Sequence, residues 1–232
     1  MEKKRVLIGM PIIENVNYNV VASIINNISP YVTLGMQTGS LVYDARHKIV
    51  QSFLADEKFD YLYFWDSDTT IPRGAIDELI KHDKDIVSIC YYAKQPPHQP
   101  IFFQERATRE DGGVGFKHIL NNDFLLNKDE NGIQKLQQAV MIGLGGCLIK
   151  RKVLEEISKQ QKNMFYPQFG LGEDATFCEH VTNAGYKIWV DPSLTVGHIG
   201  GKEYNYEDFM RTLTEHGHKV EDKLAYTEHV EF

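Results

Sequence analysis

Hydrophobic residues along this chain come in short unbroken runs, separated by stretches in which they recur every three or four positions. The runs from Arg5 to Gly9, Tyr31 to Met36, Tyr61 to Trp65 and Asp85 to Tyr91 predict strands. An apolar run without polar alternation is what a strand buried on both faces requires, as in a parallel sheet. Between the runs, Val20, Val21, Ile24, Ile25 and Ile28 share one face of a predicted helix over 20–28. A second helix, over 41–55, carries Leu41, Val42, Ala45, Ile49, Val50, Phe53 and Leu54 at helical spacing, with Thr38, Gly39 and Ser40 as capping chemistry before it. Pro72 suits the first turn of a third helix, whose apolar positions are Ile76, Leu79 and Ile80. Strand and helix alternate, which predicts an α/β domain with a mostly parallel sheet flanked by helices.

From Ala93 to Gln138 this periodicity fades. Lys94 to Pro100 reads as extended, and Asp111 to Gly115 and Lys128 to Gly132 read as turns. Long irregular segments inside compact domains are usually functional or disordered, so residues 93–139 are expected to form an acceptor-side insertion or a plain surface excursion. Order returns with a glycine-interrupted strand over 140–150, a short helix over 152–159, a helix over 173–184 closed by Gly185, and a strand over 186–190. One main domain over 1–200 is expected, with a helical tail over 201–232 that includes a helix near Tyr206 to His216.

The chain has 232 residues and a formal net charge of −7. That acidity disfavours an extended nucleic-acid surface, and an anionic substrate would need local positive compensation, which a bound metal supplies. Cys90, Cys147 and Cys178 are odd in number and widely spaced, giving neither a disulfide framework nor a metal knuckle. Free thiols, no apolar stretch of membrane-spanning length and no secretory leader lead to the expectation of a cytoplasmic protein without stable membrane insertion.

The sharpest chemical signal is Asp66-Ser67-Asp68, directly after the run Tyr61 to Trp65. Side chains two apart on a strand lie on one side, and ligands of parallel sheets bind beyond the carboxyl ends of the strands. Two hard carboxylates there suit Mg²⁺ or Mn²⁺, with substrate phosphates and water filling the remaining positions. The plainer alternative is a solvated turn closed by Asp and Ser side chains.

Further along come Gly143-Leu144-Gly145-Gly146-Cys147-Leu148-Ile149, Gly172-Glu173-Asp174, Ala184-Gly185-Tyr186 and His198. In order and approximate spacing this series resembles the metal-dependent glycosyltransferases of the GT-A fold, particularly the family 2-like group. The resemblance covers most of the chain from Arg5 to Gly200. It implies a Rossmann-like sheet with a nucleotide-sugar donor, most readily a uridine diphosphate sugar, across its carboxyl edge. It further implies a Mn²⁺ or Mg²⁺ ion between the aspartate motif and the diphosphate. Asp68 would coordinate the ion, Asp66 would coordinate it or bind the ribose, and His198 would complete the metal shell. On the residue alone, His198 reads first as structural, capping a turn beside Gly197, and the upstream series turns the reading to a ligand.

The resemblance also places the catalytic base in the pair Glu173-Asp174, with Asp174 first and Glu173 as alternate. Acids in the first turn of a helix also interact favourably with its dipole, which is a structural reading of the same pair. Arg46 matches a basic residue facing the nucleotide, with a surface ion pair as the alternative. Pro11, Ile12 and Glu14 fall in the loop that cradles the base, where this sequence departs from the commoner pattern. Gly145 and Gly146 would let a backbone approach the donor, or would only permit a bulge. Cys147 is expected to be a buried thiol.

The reading is therefore a glycosyltransferase, in which a carboxylate base would imply a single inverting displacement although retaining enzymes share the motif. The acceptor hydroxyl is open among saccharide, lipid-linked sugar, protein and modified nucleobase, and the oligomeric state is open. The rivals are a nucleotidyltransferase, for which Gly9 to Glu14 lacks the usual basic glycine-rich loop, and a nucleotide-sugar-binding protein without turnover.

Overall fold

The structure is a computed structural model that describes residues 3–13, 15–90, 92–110, 112–117, 128–130, 134–168, 170–200, 203–215, 220–222 and 225–226. The first half follows the predicted alternation: β1 (Val6–Ile12), α1 (Tyr18–Ile25), β2 (Val32–Thr38), α2 (Val42–Ala55), β3 (Tyr61–Trp65), a short β4 (Thr69–Thr70), α3 (Ala75–Lys81) and β5 (Ile86–Cys90). Then come β6 (Phe102–Phe103), the antiparallel hairpin β7 (Glu105–Thr108) and β8 (Val114–Lys117), β9 (Gln137–Ala139), β10 (Met141–Ile142) and β11 (Gly146–Lys150). Helices α4 (Arg151–Gln160) and α5 (Glu173–Asn183) precede β12 (Ile188–Thr195), β13 (Gly197–Ile199), β14 (Glu203–Tyr204) and α6 (Tyr206–Glu215).

The central sheet has seven strands in the order β2-β1-β3-β11-β5-β12-β9. Strands β2, β1, β3, β5 and β12 run one way, and β11 and β9 run against them. Every residue of β3 is buried. Tyr61, Tyr63 and Trp65 enter one apolar layer, with Val20 and Ile24 of α1 and Ile76 and Leu79 of α3. Leu62 and Phe64 enter the other, with Phe53 of α2, Leu154 of α4 and Phe177 of α5. The unbroken apolar run is thus the signature of a strand with helices on both sides, each large side chain contributing about 1.5–3 kcal/mol by burial. Gly9 has a specific reason: a Cβ there would lie 2.4 Å from Ile49 Cγ2, so only glycine lets α2 close on β1.

Some elements differ from the sequence expectation. The strand expected over 140–150 is two strands: the chain breaks at Leu144-Gly145, where Gly146 N–H donates to Leu144 O at 2.8 Å, and only β11 enters the main sheet, antiparallel between β3 and β5. Helix α1 begins earlier than expected because the Asn17 side chain accepts from Asn19 N–H, and only Val20 and Ile24 of the expected apolar face are buried. Val21, Ile25 and Ile28 face outward. Helix α2 has Leu41 at its N-cap and no side-chain cap bond, so Thr38 and Ser40 do not serve there.

Within 93–139 the described residues form a hydrogen-bonded loop over 92–100, β6, the β7/β8 hairpin and β9, and residues 118–127 and 131–133 lie outside the described set. In the tail, α6 buries Phe209 and Leu213 in the core and stacks Phe209 on Tyr92 with ring centroids 5.7 Å apart, while His216 lies outside the described residues. Among the described residues no helix is long and apolar enough to cross a membrane.

Candidate active site

Strand β3 ends at Trp65, and Asp66 to Thr69 form a turn in which Thr69 N–H donates to Asp66 O at 3.2 Å. The two-residue alternation of a strand therefore stops before the aspartates, and Asp66 and Asp68 meet different partners. Thr69 pins the turn: its hydroxyl lies 3.1 Å from Asp66 O and 3.0 Å from Gly145 O, and its own carbonyl accepts from Trp65 Nε1 at 2.7 Å.

Asp66 faces inward. Its Oδ1 lies 2.9 Å from Arg46 Nη2, and its Oδ2 accepts from the same nitrogen at 3.2 Å. Arg46 projects from α2 and is only 1% exposed, its guanidinium 5.2 Å from the Phe64 ring centre. It also meets Glu173 Oε1 at 3.9 Å and Asp174 Oδ1 at 3.6 Å, both from the first turn of α5. Three separate stretches of the sequence thus form one charge cluster, with three part-buried carboxylates around one buried guanidinium. Gly145 belongs to its wall: a Cβ there would lie 2.6 Å from Asp66 Oδ2. Gly146 has a packing role, since its Cβ would meet Ile89 Cγ1 at 2.3 Å.

Asp68 faces a different group. Lys94 Nζ donates to its Oδ2 at 2.5 Å, and His198 Nε2 lies 3.5 Å from the same oxygen. Backbone pairing brings the histidine there: β13 runs antiparallel to β4 with His198 opposite Thr69, and Ile199 N–H donates to Asp68 O at 2.7 Å. The other ring nitrogen, Nδ1, is 2.9 Å from Tyr92 O, which orients the imidazole and leaves Nε2 toward Asp68. Lys94 is carried by the 92–100 loop, which closes on itself through Ala93 N–H to Gln99 O and His98 N–H to Gln95 O, each 2.8 Å.

The carboxylates feel opposite fields. Burial raises the Asp174 pKa to about 7, with Glu173 and Asp66 adding to the rise, while Arg46 and the Leu144 N–H oppose it. Burial also raises Asp66, against the pull of Arg46. At Asp68 burial pushes upward, but hydrogen bonds from His198 and Lys94 overcome it and hold the carboxyl at about 2. Cys147 is fully buried with its pKa pushed up by desolvation, an inert thiol rather than a nucleophile.

Sequence reasoning selected Asp66, Asp68, Arg46, Gly145, Gly146, Glu173, Asp174 and His198, and the fold brings all of them to the carboxyl edge of the sheet around β3 and β11. Pro11 and Ile12 end β1 opposite Gln37 and Thr38, at the same edge of the sheet, and Glu14 lies outside the described residues. The proposed ligand set is only partly assembled: among the described residues no three His, Cys, Asp or Glu side chains converge as an ion site, because Asp66 is turned to Arg46 while Asp68 and His198 meet. Lys94 and Thr69 were not singled out by sequence. Lys94 sits in a polar stretch whose spacing carries no link to Asp68, whereas Thr69, next to the motif, could have been flagged as a turn residue.

No protein-family model matches the chain, and no curated protein matches it. Solved structures do. The crystal structure of A197 from STIV superposes with a TM-score of 0.61 at 18% identity, covering 84% of this chain and 86% of that one. A crystal structure of GalNAc-T7 with UDP, GalNAc and Mn²⁺ superposes with a TM-score of 0.57 at 12% identity, covering 91% of this chain and 48% of that chain, so this chain spans about half of its length. The sheet order, the helices on both faces and these likenesses together show that the chain has a GT-A-like α/β fold.

Proposed function

We propose that this chain is a glycosyltransferase that moves a sugar from a nucleoside-diphosphate donor, a uridine diphosphate sugar first among them, to an acceptor hydroxyl. The observation that carries this reading is the meeting of Asp68 and His198 beside the Arg46, Asp66, Glu173 and Asp174 cluster at the carboxyl edge of a GT-A-like sheet. The presence of UDP and Mn²⁺ in the GalNAc-T7 structure supports the donor class and the cation.

The residues present fit Mn²⁺ or Mg²⁺. Asp68 offers a hard carboxylate and His198 an oriented imidazole, and Asp68 already attracts a cation in the form of the Lys94 ammonium. Asp68 and His198 would hold the ion, and Asp66 would face the ribose side of the donor while anchoring Arg46. When bound, such an ion stabilises the negative charge that develops on the diphosphate leaving group.

The chain's own groups supply the rest. Arg46 neutralises part of the acid cluster and fixes the Asp66 carboxylate in the wall that Gly145 leaves open. Asp174, with a pKa near neutrality, is suited to take the acceptor hydroxyl proton as the sugar carbon is attacked. Glu173 raises the proton affinity of Asp174 and is the alternate base. Attack by the acceptor oxygen with departure of the nucleoside diphosphate, in one displacement, inverts the anomeric centre.

Release of nucleoside diphosphate from a panel of nucleotide sugars, with and without EDTA and added Mn²⁺, tests the reading. Turnover that needs the divalent ion and falls at least a hundredfold in Asp68→Ala is expected. Metal-independent turnover untouched by Asp68→Ala would remove this site, and pyrophosphate release from nucleoside triphosphates would move the chain to nucleotidyl transfer.

A further inference from the structure

From Asn15 to Tyr43 the sequence contains no Asp, Glu, Lys, Arg or His, although charged residues make up 25% of the chain. This neutral tract spans α1 and β2. Strand β2 ends the seven-stranded sheet, and among the described residues it pairs along its length with β1 alone. Edge strands normally carry charges, a proline or a bulge that discourages pairing with another chain. Val32-Thr33-Leu34-Gly35-Met36-Gln37-Thr38 carries no charge and no proline, and its pairing with β1 is in register from Val32 to Thr38 without a bulge.

The helix before it is equally unguarded. Tyr18, Val21 and Ile25 follow helical spacing on α1 and are 77%, 44% and 68% exposed, and Ile28, just past the end of the helix, is 48% exposed. Met36, on the free edge, is 59% exposed. Val20 and Ile24 of α1 and Val32 and Leu34 of β2 belong to the same apolar layer of the core, which leaves Val21 and Ile25 of α1 outward. Apolar residues scattered singly need no explanation, but an exposed apolar helix stripe followed directly by an unguarded edge strand marks an interaction surface.

We infer that this flank is a self-association surface and that its occupant is a second copy of the chain, the two β2 strands pairing antiparallel about a two-fold axis with the α1 stripes covering one another. Charge selects this occupant. In a two-fold contact each patch meets its own image, so a patch dominated by one sign of charge repels itself. A chain of net charge −7 can approach its copy at short range best through segments that carry no charge of their own, as α1 and β2 do, with charged groups such as Lys3 and Lys81 only bordering the start of β2. A membrane surface is a poorer match, because interfacial helices carry Lys and Arg on their polar face and this tract has none. Pairing β2 with its image also closes the open edge, so assembly stops at two rather than growing into a fibre. The inference is independent of the catalytic reading: α1 and β2 supply none of the residues in the acid cluster or the Asp68–His198 pair.

Light scattering coupled to size exclusion, from low to high micromolar protein, reads the outcome. A dimer of twice 26.6 kDa is expected for the wild type. Met36→Lys and Ile25→Lys, both at exposed positions and outside the acid cluster, should raise the dimer dissociation constant at least tenfold while leaving far-ultraviolet circular dichroism unchanged. Gln138→Lys, on the opposite edge strand β9, should leave the dimer intact. Hydrogen exchange adds a local readout, with amides of 32–38 gaining protection as concentration rises. A wild type that stays monomeric throughout, a dimer that survives both lysine variants, growth beyond a dimer, or a monomer that sediments with phosphatidylcholine vesicles would each overturn the inference.

Discussion

At the scale of single residues, the two aspartates of one short motif have been given different work by what surrounds them. Asp68 is a carboxylate already neutralised by Lys94 and approached by His198, so any divalent ion must compete with an ammonium. Both partners of the Lys94–Asp68 pair are about one-third exposed, and such pairs contribute ~1 kcal/mol or less. Lys94→Met should therefore tighten Mn²⁺ binding in the absence of donor by up to about fivefold, as ~1 kcal/mol implies, and isothermal titration calorimetry measures it. A weaker ion in that variant would show that Lys94 supports the site rather than occupying it. Asp174 gives a prediction with the opposite sign to an ordinary salt-bridged acid. Its folded pKa of about 7 lies above the usual carboxylate value, so between those pH values the folded state binds the extra proton. Stability from this group is greatest below the unfolded pKa and is lost as pH rises through about 7. Asp174→Asn, which keeps the shape and removes the charge, should raise the Tm at pH 8 and give little gain at pH 4. If Asp174 is also the base, the same variant loses turnover at both pH values, and wild-type kcat/KM rises with pH through the same range.

At the scale of elements, the site is the product of three contacts between pieces distant in sequence: α2 with the α5 N-terminus through Arg46, the β3 turn with the Gly145 break, and β4 with β13. Arg46 is the centre of the first. Removing one partner from a buried charge cluster leaves the others uncompensated, so Arg46→Met should cost about 3–5 kcal/mol in urea unfolding at pH 8. The loss should shrink as the pH falls below 6 and Asp174 takes up its proton. The Gly145 contact predicts that Gly145→Ala pushes the Asp66 carboxylate off Arg46, costing about 1–3 kcal/mol and lowering donor affinity. Much of this was legible beforehand, because the residues that alternate between two apolar layers in β3 must read as an unbroken run, and because turn and helix-start residues carry local chemistry. The insertion of β11 between β3 and β5 was not legible. Local periodicity reports which face is buried, and it says nothing of which strand lies alongside or in which direction. Nor was the outward stripe of α1: Tyr18, Val21 and Ile25 have the same spacing as a buried face, and only the fold decides that Val20 and Ile24 turn inward.

At the scale of the whole molecule, the question is which end of the sheet does the chemistry. The chain offers a recess of about 790 Å³ lined by Lys3, Lys4, Tyr31, Gly74, Glu78 and Lys81, among others. That recess lies where β1 and β2 begin, at the amino ends of Val6 and Val32. The acid cluster and the Asp68–His198 pair lie at the other end, where β3 runs out and β4 meets β13. Parallel strands present their carboxyl ends, with their turns and following helix starts, to ligands, and the loops that can vary are gathered there. The charges agree with the topology. Three acids and one buried guanidinium meet at the carboxyl end, whereas Lys81 at the amino end is already paired with Glu78 at 2.7 Å. A UDP titration with Mn²⁺, followed by thermal shift, separates the two ends. Lys81→Glu should leave the donor-product affinity within about twofold, the effect of a solvent-exposed pair. Asp68→Asn should remove the Mn²⁺-dependent part of the Tm rise, because a ligand stabilises the fold only as far as it binds the folded state. The reverse pattern, with Lys81→Glu abolishing the shift and Asp68→Asn preserving it, would place nucleotide binding at the amino edge and leave the buried acid cluster as a structural feature of the fold.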